Sequence, residues 1–245
     1  MRVALCGWNQ EELKQTLADF SFKVVEKNPE VVISYGGDGV LLGAERKYPG
    51  VPKCPVRDAK THPQCADHDE RKVLSLLNED KLKKTTAMKL EGEKAGHHNK
   101  LYALNDVVIN KQIMTSCVRY RIWLDGTPYA DQIVGDGLVV ATPFGSTAYY
   151  RSITRSLFQT GIGVAFNNST EPFDHLLISE GTEITVEIIR GPAVVMADND
   201  PQRIPLEEGE QAHVRKSPQG TVLLGIDIFR CPLCSNQRQN SFPMS

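Results

Sequence analysis

Two stretches of this chain hold residues able to work on a phosphorylated ligand. The first, Gly36-Gly37-Asp38-Gly39, follows directly on the β-branched run Val31-Val32-Ile33-Ser34-Tyr35. Glycines allow positive φ and leave no side chain between the backbone and a phosphate, so successive N–H groups can converge on its oxygens. Asp38 is the lone carboxylate of that turn, placed where a substrate hydroxyl would meet a phosphoryl donor. The plainer alternative is a strand-to-helix turn without a ligand. The second stretch runs from Gly135-Asp136-Gly137 through Leu138–Ala141 to Thr142-Pro143-Phe144-Gly145-Ser146-Thr147-Ala148-Tyr149-Tyr150. It reads as a turn, a short apolar strand, a hydroxyl-rich loop and the start of a helix. Such a loop presents N–H groups and hydroxyls at a helix N-terminus, where the dipole favours anions.

Between them, Ala103–Ile109 sets two polar residues, Asn105 and Asp106, inside an apolar strand. Neighbours on a strand face opposite ways, so one can reach a ligand while the other braces the loop. An Asn offers both a donor and an acceptor, which suits a ribose or an amide. A strand edge or β-bulge would account for the pair equally well, since both are poor strand formers. Phosphoryl transfer asks for positioning, charge neutralisation and a group that takes the hydroxyl proton. Its donors arrive as magnesium complexes, so Mg²⁺ is expected with ATP, although no carboxylate cluster announces a protein cage for it.

Around these residues the pattern predicts two regions. Residues 2–7 read as a strand, Asn9 as the cap of a helix reaching Phe20, and Phe22–Val25 and Val31–Tyr35 as strands. Val40–Tyr48 reads as a helix, residues 49–69 as irregular because of their four prolines, and Glu70–Leu82 as a helix. From about Thr86 strand-like runs recur between turn signals, including an Asp125-Gly126 hairpin, with one helix over Thr147–Leu157. The expected fold class is α/β plus β. A small Rossmann-like N-terminal domain, residues 1–95, precedes a β-rich domain, residues 96–220.

The chain has 245 residues, with 28 Lys and Arg against 30 Asp and Glu. Near-neutral charge argues against non-specific binding of nucleic acid. No apolar run approaches the roughly 20 residues of a membrane span. The segment Met1–Gly7 reads as a buried strand rather than an export signal. The six cysteines, Cys6, Cys54, Cys65, Cys117, Cys231 and Cys234, are then expected as reduced thiols in a cytoplasmic protein. Walker A, GxGxxG, G-x-S-x-G and H-E-x-x-H patterns are absent from the sequence.

In order and spacing, the GGDG turn, the Asn-Asp pair and the DG…TPxGSTAY segment resemble the NAD kinase family, within the wider diacylglycerol-kinase-like superfamily. The resemblance covers most of residues 1–228. It implies an ATP- or polyphosphate-dependent kinase acting on NAD, with the last strand returning so that residues 221–245 join the N-terminal domain. It also implies that Asp38 takes the proton of the 2′-hydroxyl of the adenosine ribose, while Gly36, Gly37 and Gly39 lie along the triphosphate. Asn105 and Asp106 would contact the nucleotide, and Asp136 would hold it. Thr147, Ala148, Tyr149, Tyr150, Arg151 and Ser152 would line the adenine and ribose pocket, with Arg155 adding charge near a phosphate or standing in solvent. Asp198 falls where relatives carry an Asp-Gly-Gln turn that touches substrate, with Asp200 as a further candidate contact. The family's nucleotide cleft lies between its two domains and is completed by a neighbouring subunit. A homodimer or homotetramer is therefore expected, with Ile122 and Leu124, beside Trp123, as candidate interface residues.

The match has gaps. Val40 stands where relatives have Thr or Ser, and Phe144 replaces a common Thr. The segment Val51–Asp69 lacks the Gly-Ile-Asn and Leu-Gly-Phe-Leu pieces, and Gln132-Ile133-Val134-Gly135 lacks a basic residue ahead of Asp136. Cys231-Pro232-Leu233-Cys234 is half of a tetrahedral zinc site, which Cys54, His62, Cys65 and His68 could complete; reduced thiols are the simpler reading. Two other functions fit the glycine turn: a lipid or sphingoid-base kinase, and an NAD(P)-binding sensor without turnover.

Overall fold

The computed structural model describes residues 1–8, 10–58 and 68–231. The expected cap at Asn9 lies outside them. The chain divides into two compact units, Met1–Ala87 together with the segment from Thr221 on, and Met88–Gly220.

The first unit is a twisted, mostly parallel sheet with helices on both faces. Its strands are β1 (Arg2–Gly7), β2 (Lys23–Val24), β3 (Val31–Tyr35), β4 (Lys53–Val56), β5 (Lys84–Ala87) and β18 (Thr221–Leu224), in the order β2-β1-β3-β4-β18-β5. Only β5 runs antiparallel to its neighbour. The last strand thus returns to the first sheet. Strand alternation sorts the core. Val3, Leu5, Ile33 and Cys54 face α1 (Gln10–Leu17) and α3 (Glu70–Asn78) through Leu13, Leu17, Val73, Leu74 and Leu77. Ala4 and Val32 face the other way, against Ala44 of α2 (Asp38–Lys47). Beneath α2, Lys53 and Glu45 form a buried ion pair at 2.5 Å, and Lys53 Nζ also donates to the carbonyls of Tyr48 and Val51.

The strand β4 corrects the expectation of irregular structure across residues 49–69. A proline has no N–H for a sheet ladder, which argues against an interior strand. Pro55 is tolerated because β18 pairs with β4 only at Leu223↔Lys53, leaving no β18 partner at Pro55.

The second unit is a sandwich of two six-stranded antiparallel sheets. Its strands are β6 (Leu90–Lys94), β7 (Lys100–Ala103), β8 (Asp106–Lys111), β9 (Val118–Leu124), β10 (Thr127–Gly135), β11 (Gly137–Ala141), β12 (Ile162–Asn167), β13 (His175–Ile178), β14 (Ile184–Arg190), β15 (Ala193–Ala197), β16 (Ile204–Leu206) and β17 (Gln211–Lys216). One sheet has the order β10-β9-β14-β17-β6-β7, the other β13-β12-β11-β8-β15-β16. Inward-facing residues of both sheets form one apolar cluster, among them Val107, Ile109, Tyr120, Ile122, Val186 and Val214. The Tyr120 hydroxyl donates to the carbonyl of Gly137 at 3.1 Å, a bond from β9 to β11 through the core. Ile122 is 1 % exposed and Leu124 packs on the same cluster, so neither is the free apolar surface expected at a subunit interface. Val108 and Val139 alternate to the outer face, where Tyr150 and Phe158 cover them. Among the described residues no helix is long and apolar enough to cross a membrane.

Candidate functional site

In the first unit the glycine turn sits at the carboxyl end of β3. Its register is fixed on both sides. The N–H of Gly36 donates to the carbonyl of Val56 at 2.9 Å, and Gly7 pairs with Tyr35 so closely that a Cβ on it would lie 2.2 Å from the Tyr35 carbonyl oxygen. Gly36 has φ +147°, and a Cβ there would lie 2.8 Å from Val40 Cγ2. So Val40 closes over the turn as an apolar lid on its glycine, filling the position where a hydroxyl was expected. Gly37 caps α2 without a side-chain bond, and Asp38 is the acid of its first turn, next to the positive end of the helix dipole.

Two arginines that the sequence reading did not single out stand at this end of the unit. Arg230 Nη2 lies 3.4 Å from Asp38 Oδ1. Arg57 follows β4, stacks 3.8 Å from the centre of the Phe229 ring, and donates from Nε to the Phe229 carbonyl at 3.2 Å. Neither carries a local sequence signal. The return of β18 and of α5 (Ile226–Phe229) brings Arg230 to Asp38 across 192 positions.

In the second unit, Asn105 and Asp106 are not mid-strand. Asn105 lies in the bend between β7 and β8, and Asp106 opens β8. Both are enclosed, at 8 % and 6 % exposure, yet among the described residues Asn105 Oδ1 has no hydrogen-bond partner. A buried acceptor without a donor is unusual and marks a place a ligand donor would fill. Burial first, and the nearby charge of Asp198 second, push the Asp106 carboxyl up to about 7. Asp198 itself is pushed up to about 6 by burial, against three backbone N–H groups that favour its charge.

The corner is held from two sides. Thr142, the first residue of the TPFGST loop, donates its hydroxyl to the Leu104 carbonyl at 2.6 Å and accepts the Gly145 N–H at 3.0 Å. Its own N–H reaches the Asn105 carbonyl at 2.8 Å. Gly145 passes so near that a Cβ would lie 2.1 Å from the Asn105 carbonyl oxygen. From the other side, Asp198 accepts the N–H groups of Leu104, Asn105 and Asp106. This carboxylate, expected to touch substrate, is therefore committed to backbone. Asp200, the other candidate in that turn, accepts the N–H of Gln202 at 2.9 Å.

Asp136 binds Lys111 at 2.6 Å and accepts from Asn168 at 2.8 Å, and those two bonds hold its carboxyl below the usual range. The basic residue missing ahead of it is thus supplied across the sheet. After the loop, Gly145–Thr147 forms one 3-10 turn through Thr147, and Ala148 leads into α4 (Tyr149–Thr154). The helix is shorter than expected because Arg155 takes φ +60° and ends it. Tyr149, Ser152, Arg155, Asn167 and Asn168 line an open polar recess, with Asn167 donating to the Tyr149 hydroxyl at 2.9 Å. Arg151 is half-buried on the same short helix. Tyr150 differs from the expectation of a pocket residue. It is 1 % exposed and meets Phe158 edge-on at 5.0 Å, so its ring anchors α4 to the sheet.

Among the described residues no group of three or more His, Cys, Asp or Glu is disposed to hold a metal ion. Cys54 lies in the apolar core of the first unit, where burial pushes its thiol up to about 12. That environment disfavours the thiolate a zinc ion needs. His62, Cys65 and Cys234 of the considered zinc set lie outside the described residues.

A family model described as the ATP-NAD kinase C-terminal domain matches residues 104–225. An NAD kinase of Clostridium beijerinckii is 34% identical over 141 residues, 53% of this chain and 49% of that protein. The matched chain thus spans about half the length of that relative. An NAD kinase of Acidobacterium capsulatum is 28% identical over a stretch covering 86% of this chain and 80% of the relative. Two solved structures share the fold. A yeast NADH kinase complexed with NADH has a TM-score of 0.81 at 17% identity, covering 100% of this chain and 90% of that one. An NAD kinase from Archaeoglobus fulgidus in complex with ATP has a TM-score of 0.76 at 18% identity, covering 97% and 99%.

Proposed function

Because the chain belongs to the NAD kinase family, we propose that it moves a phosphoryl group from ATP, or a polyphosphate donor, to the 2′-hydroxyl of the adenosine ribose of NAD. With ATP as donor the products are NADP and ADP. The bond from the γ-phosphorus to the β,γ-bridging oxygen breaks, the 2′-oxygen binds that phosphorus, and the hydroxyl proton passes to the Asp38 carboxylate. The observation that carries this reading is the lone carboxylate of a glycine turn at the N-terminus of α2, with a guanidinium beside it. Gly36, Gly37 and Gly39 are proposed to lie along the donor's phosphates, with the Gly36 N–H itself holding the turn to the Val56 carbonyl. Arg230 adds positive charge where phosphate oxygens gather. Mg²⁺ enters with the donor as part of the substrate.

On the acceptor side, Asn105 Oδ1 would take a donor of the nucleotide and Asp106, when ionised, would accept from a ribose hydroxyl. Asp136, Thr147, Ala148, Tyr149, Arg151 and Ser152 are proposed to line the rest of the NAD site. Tyr150 contributes by packing. We assign the protein to the cytoplasm and expect a homodimer or homotetramer.

The experiment is purified protein with magnesium, ATP and NAD, and NADP read by an NADP-specific dehydrogenase. Equal amounts of NADP and ADP are expected. NAD binding without NADP would mean a sensor, and labelled phosphate in a sphingoid base but not in NAD would mean a lipid kinase. The yeast enzyme's partner nucleotide makes NADH the second acceptor to assay.

A further inference from the structure

We propose that Asp198 is the positioning residue of the acceptor site, fixing the backbone of Leu104, Asn105 and Asp106 so that the Asn105 amide and Asp106 carboxyl are presented to the nucleotide. The inference rests on the reading of those two side chains as NAD contacts. Its geometric basis is a three-to-two arrangement. Asp198 Oδ2 accepts the Leu104 N–H at 2.8 Å, while Oδ1 accepts the N–H groups of Asn105 at 2.8 Å and Asp106 at 3.2 Å. The Asp198 N–H returns a bond to the Asp106 carbonyl at 3.0 Å.

An aspartate in a turn most often caps its own turn within two or three residues. Asp200 does this, and Asp198 does not; it reaches 92 to 94 positions back along the chain. To do so it adopts φ +48° at the end of β15. The corner it grips has no regular ladder to hold Leu104 and Asn105, so three charge-assisted bonds stand in for one. The choice of a carboxylate also has a cost. Two carboxyls are enclosed at this corner: the charge of Asp198 acts on Asp106, and Lys89 is the charge acting on Asp198. An asparagine would relieve the repulsion but offers a single acceptor oxygen to three N–H donors and sets its NH2 against at least one of them, so only the acid holds the whole corner.

The test compares Asp198→Ala and Asp198→Asn with Asn105→Ala in steady-state kinetics, varying NAD at saturating magnesium-ATP and the reverse. Asp198→Ala should raise KM for NAD by about 10- to 100-fold, as expected when backbone donors lose a charged acceptor. KM for ATP should stay within about twofold, since one substrate's contacts alone are disturbed. Asp198→Asn, nearly isosteric and still offering one acceptor oxygen, should fall between. It should also move the acid limb of kcat/KM for NAD to lower pH, because Asp106 loses its like-charged neighbour while Lys89 remains. Equal rises in both KM values, or an unmoved NAD KM with an unmoved acid limb in Asp198→Asn, would overturn the proposal. If Asp198→Ala fails to fold, the Asn variant decides alone. The Asn105→Ala control separates two failures. An unchanged NAD KM there removes the reading of the corner itself, whereas a raised one beside a normal Asp198→Asn removes only the brace.

Discussion

Arg230 and Asp38 stand 3.4 Å apart, joining the segment after the last helix to the glycine turn at the other end of the sequence. Both side chains are partly open to solvent, so the pair contributes little to stability. Its importance is chemical: a guanidinium lies beside the one carboxylate of the Gly36–Gly39 turn. Asp38→Asn should leave the fold and NAD binding intact and lower kcat by about 10²- to 10⁴-fold, the usual range for loss of a general base. The check is the NADP assay alongside NAD binding by calorimetry. Turnover near that of the parent protein would remove Asp38 from the mechanism.

The carboxyl at Asp106 predicts two opposite responses to acid. In the folded protein it is pushed up to about 7, well above the ordinary range of a carboxylate. The native state therefore holds this proton more tightly than the unfolded chain, and stability must rise as pH falls from above 7 toward 4. Groups held below their usual range, such as Asp136, Glu171 and Glu210, work in the other direction, but only near and below their unfolded values. Between pH 7 and pH 6 the extra proton uptake of the folded Asp106 is worth about 1 kcal/mol, with a smaller contribution of the same sign from Asp198. Denaturant unfolding of the free protein should show that gain, and Asp106→Asn should flatten it. NAD affinity should fall over the same interval, because the ionised carboxylate accepts the ribose hydroxyl. A protein that loses stability from pH 7 to pH 6 would contradict the assignment.

Gly145→Ala tests the clamp from its loop side. The new methyl would begin 2.1 Å from the Asn105 carbonyl oxygen, and that neighbour is backbone. The loop or the corner must shift, so KM for NAD should rise at least about tenfold, with 1–3 kcal/mol lost in stability as for other overpacked sites. Calorimetric binding of NAD and thermal unfolding measure the two effects. Normal binding in a folded variant would show that the corner does not need the loop.

Lys53→Met should be the most damaging single change in the first unit. It leaves Glu45 buried without its cation, a loss of about 3–5 kcal/mol. Pairing it with Glu45→Leu should recover much of that loss, since replacing both charges removes the desolvation problem. Urea unfolding of the single and double variants gives the comparison. Equal destabilisation in both would mean that Lys53 works through its bonds to the Tyr48 and Val51 carbonyls instead.

What could be read from sequence was what depends on near neighbours. A β-branched run before three glycines and one Asp defines the turn at Asp38, and the apolar strand before Thr142 defines the loop. The two-sheet core shows in the alternation of Val118, Tyr120 and Ile122. What could not be read depends on partners far away. Lys111 serves Asp136 because β8 and β11 lie side by side. Asp198 looks like a substrate residue until the bend at Leu104 is folded against it. Tyr150 belongs to a motif rich in ligand contacts, yet the ring is turned to Phe158 by the sheet beneath. The strand β4 hid behind Pro55, whose cost depends on how far a neighbouring strand extends.

The placement of β18 has a consequence for how the chain is made. Among the described residues, β18 is the only strand paired with β5 and the second neighbour of β4. It is synthesised after the whole of the second unit, Met88–Gly220. At about 5–20 residues per second, ribosomes leave that gap open for on the order of ten seconds. During this time the nascent amino-terminal sheet presents an unfilled slot beside β4, an edge of the kind that invites wrong pairing. The sandwich, whose strands all lie within one continuous stretch, can close while the slot waits. Arg230, which stands 3.4 Å from Asp38, likewise reaches the glycine turn only after Met88–Gly220 has been made.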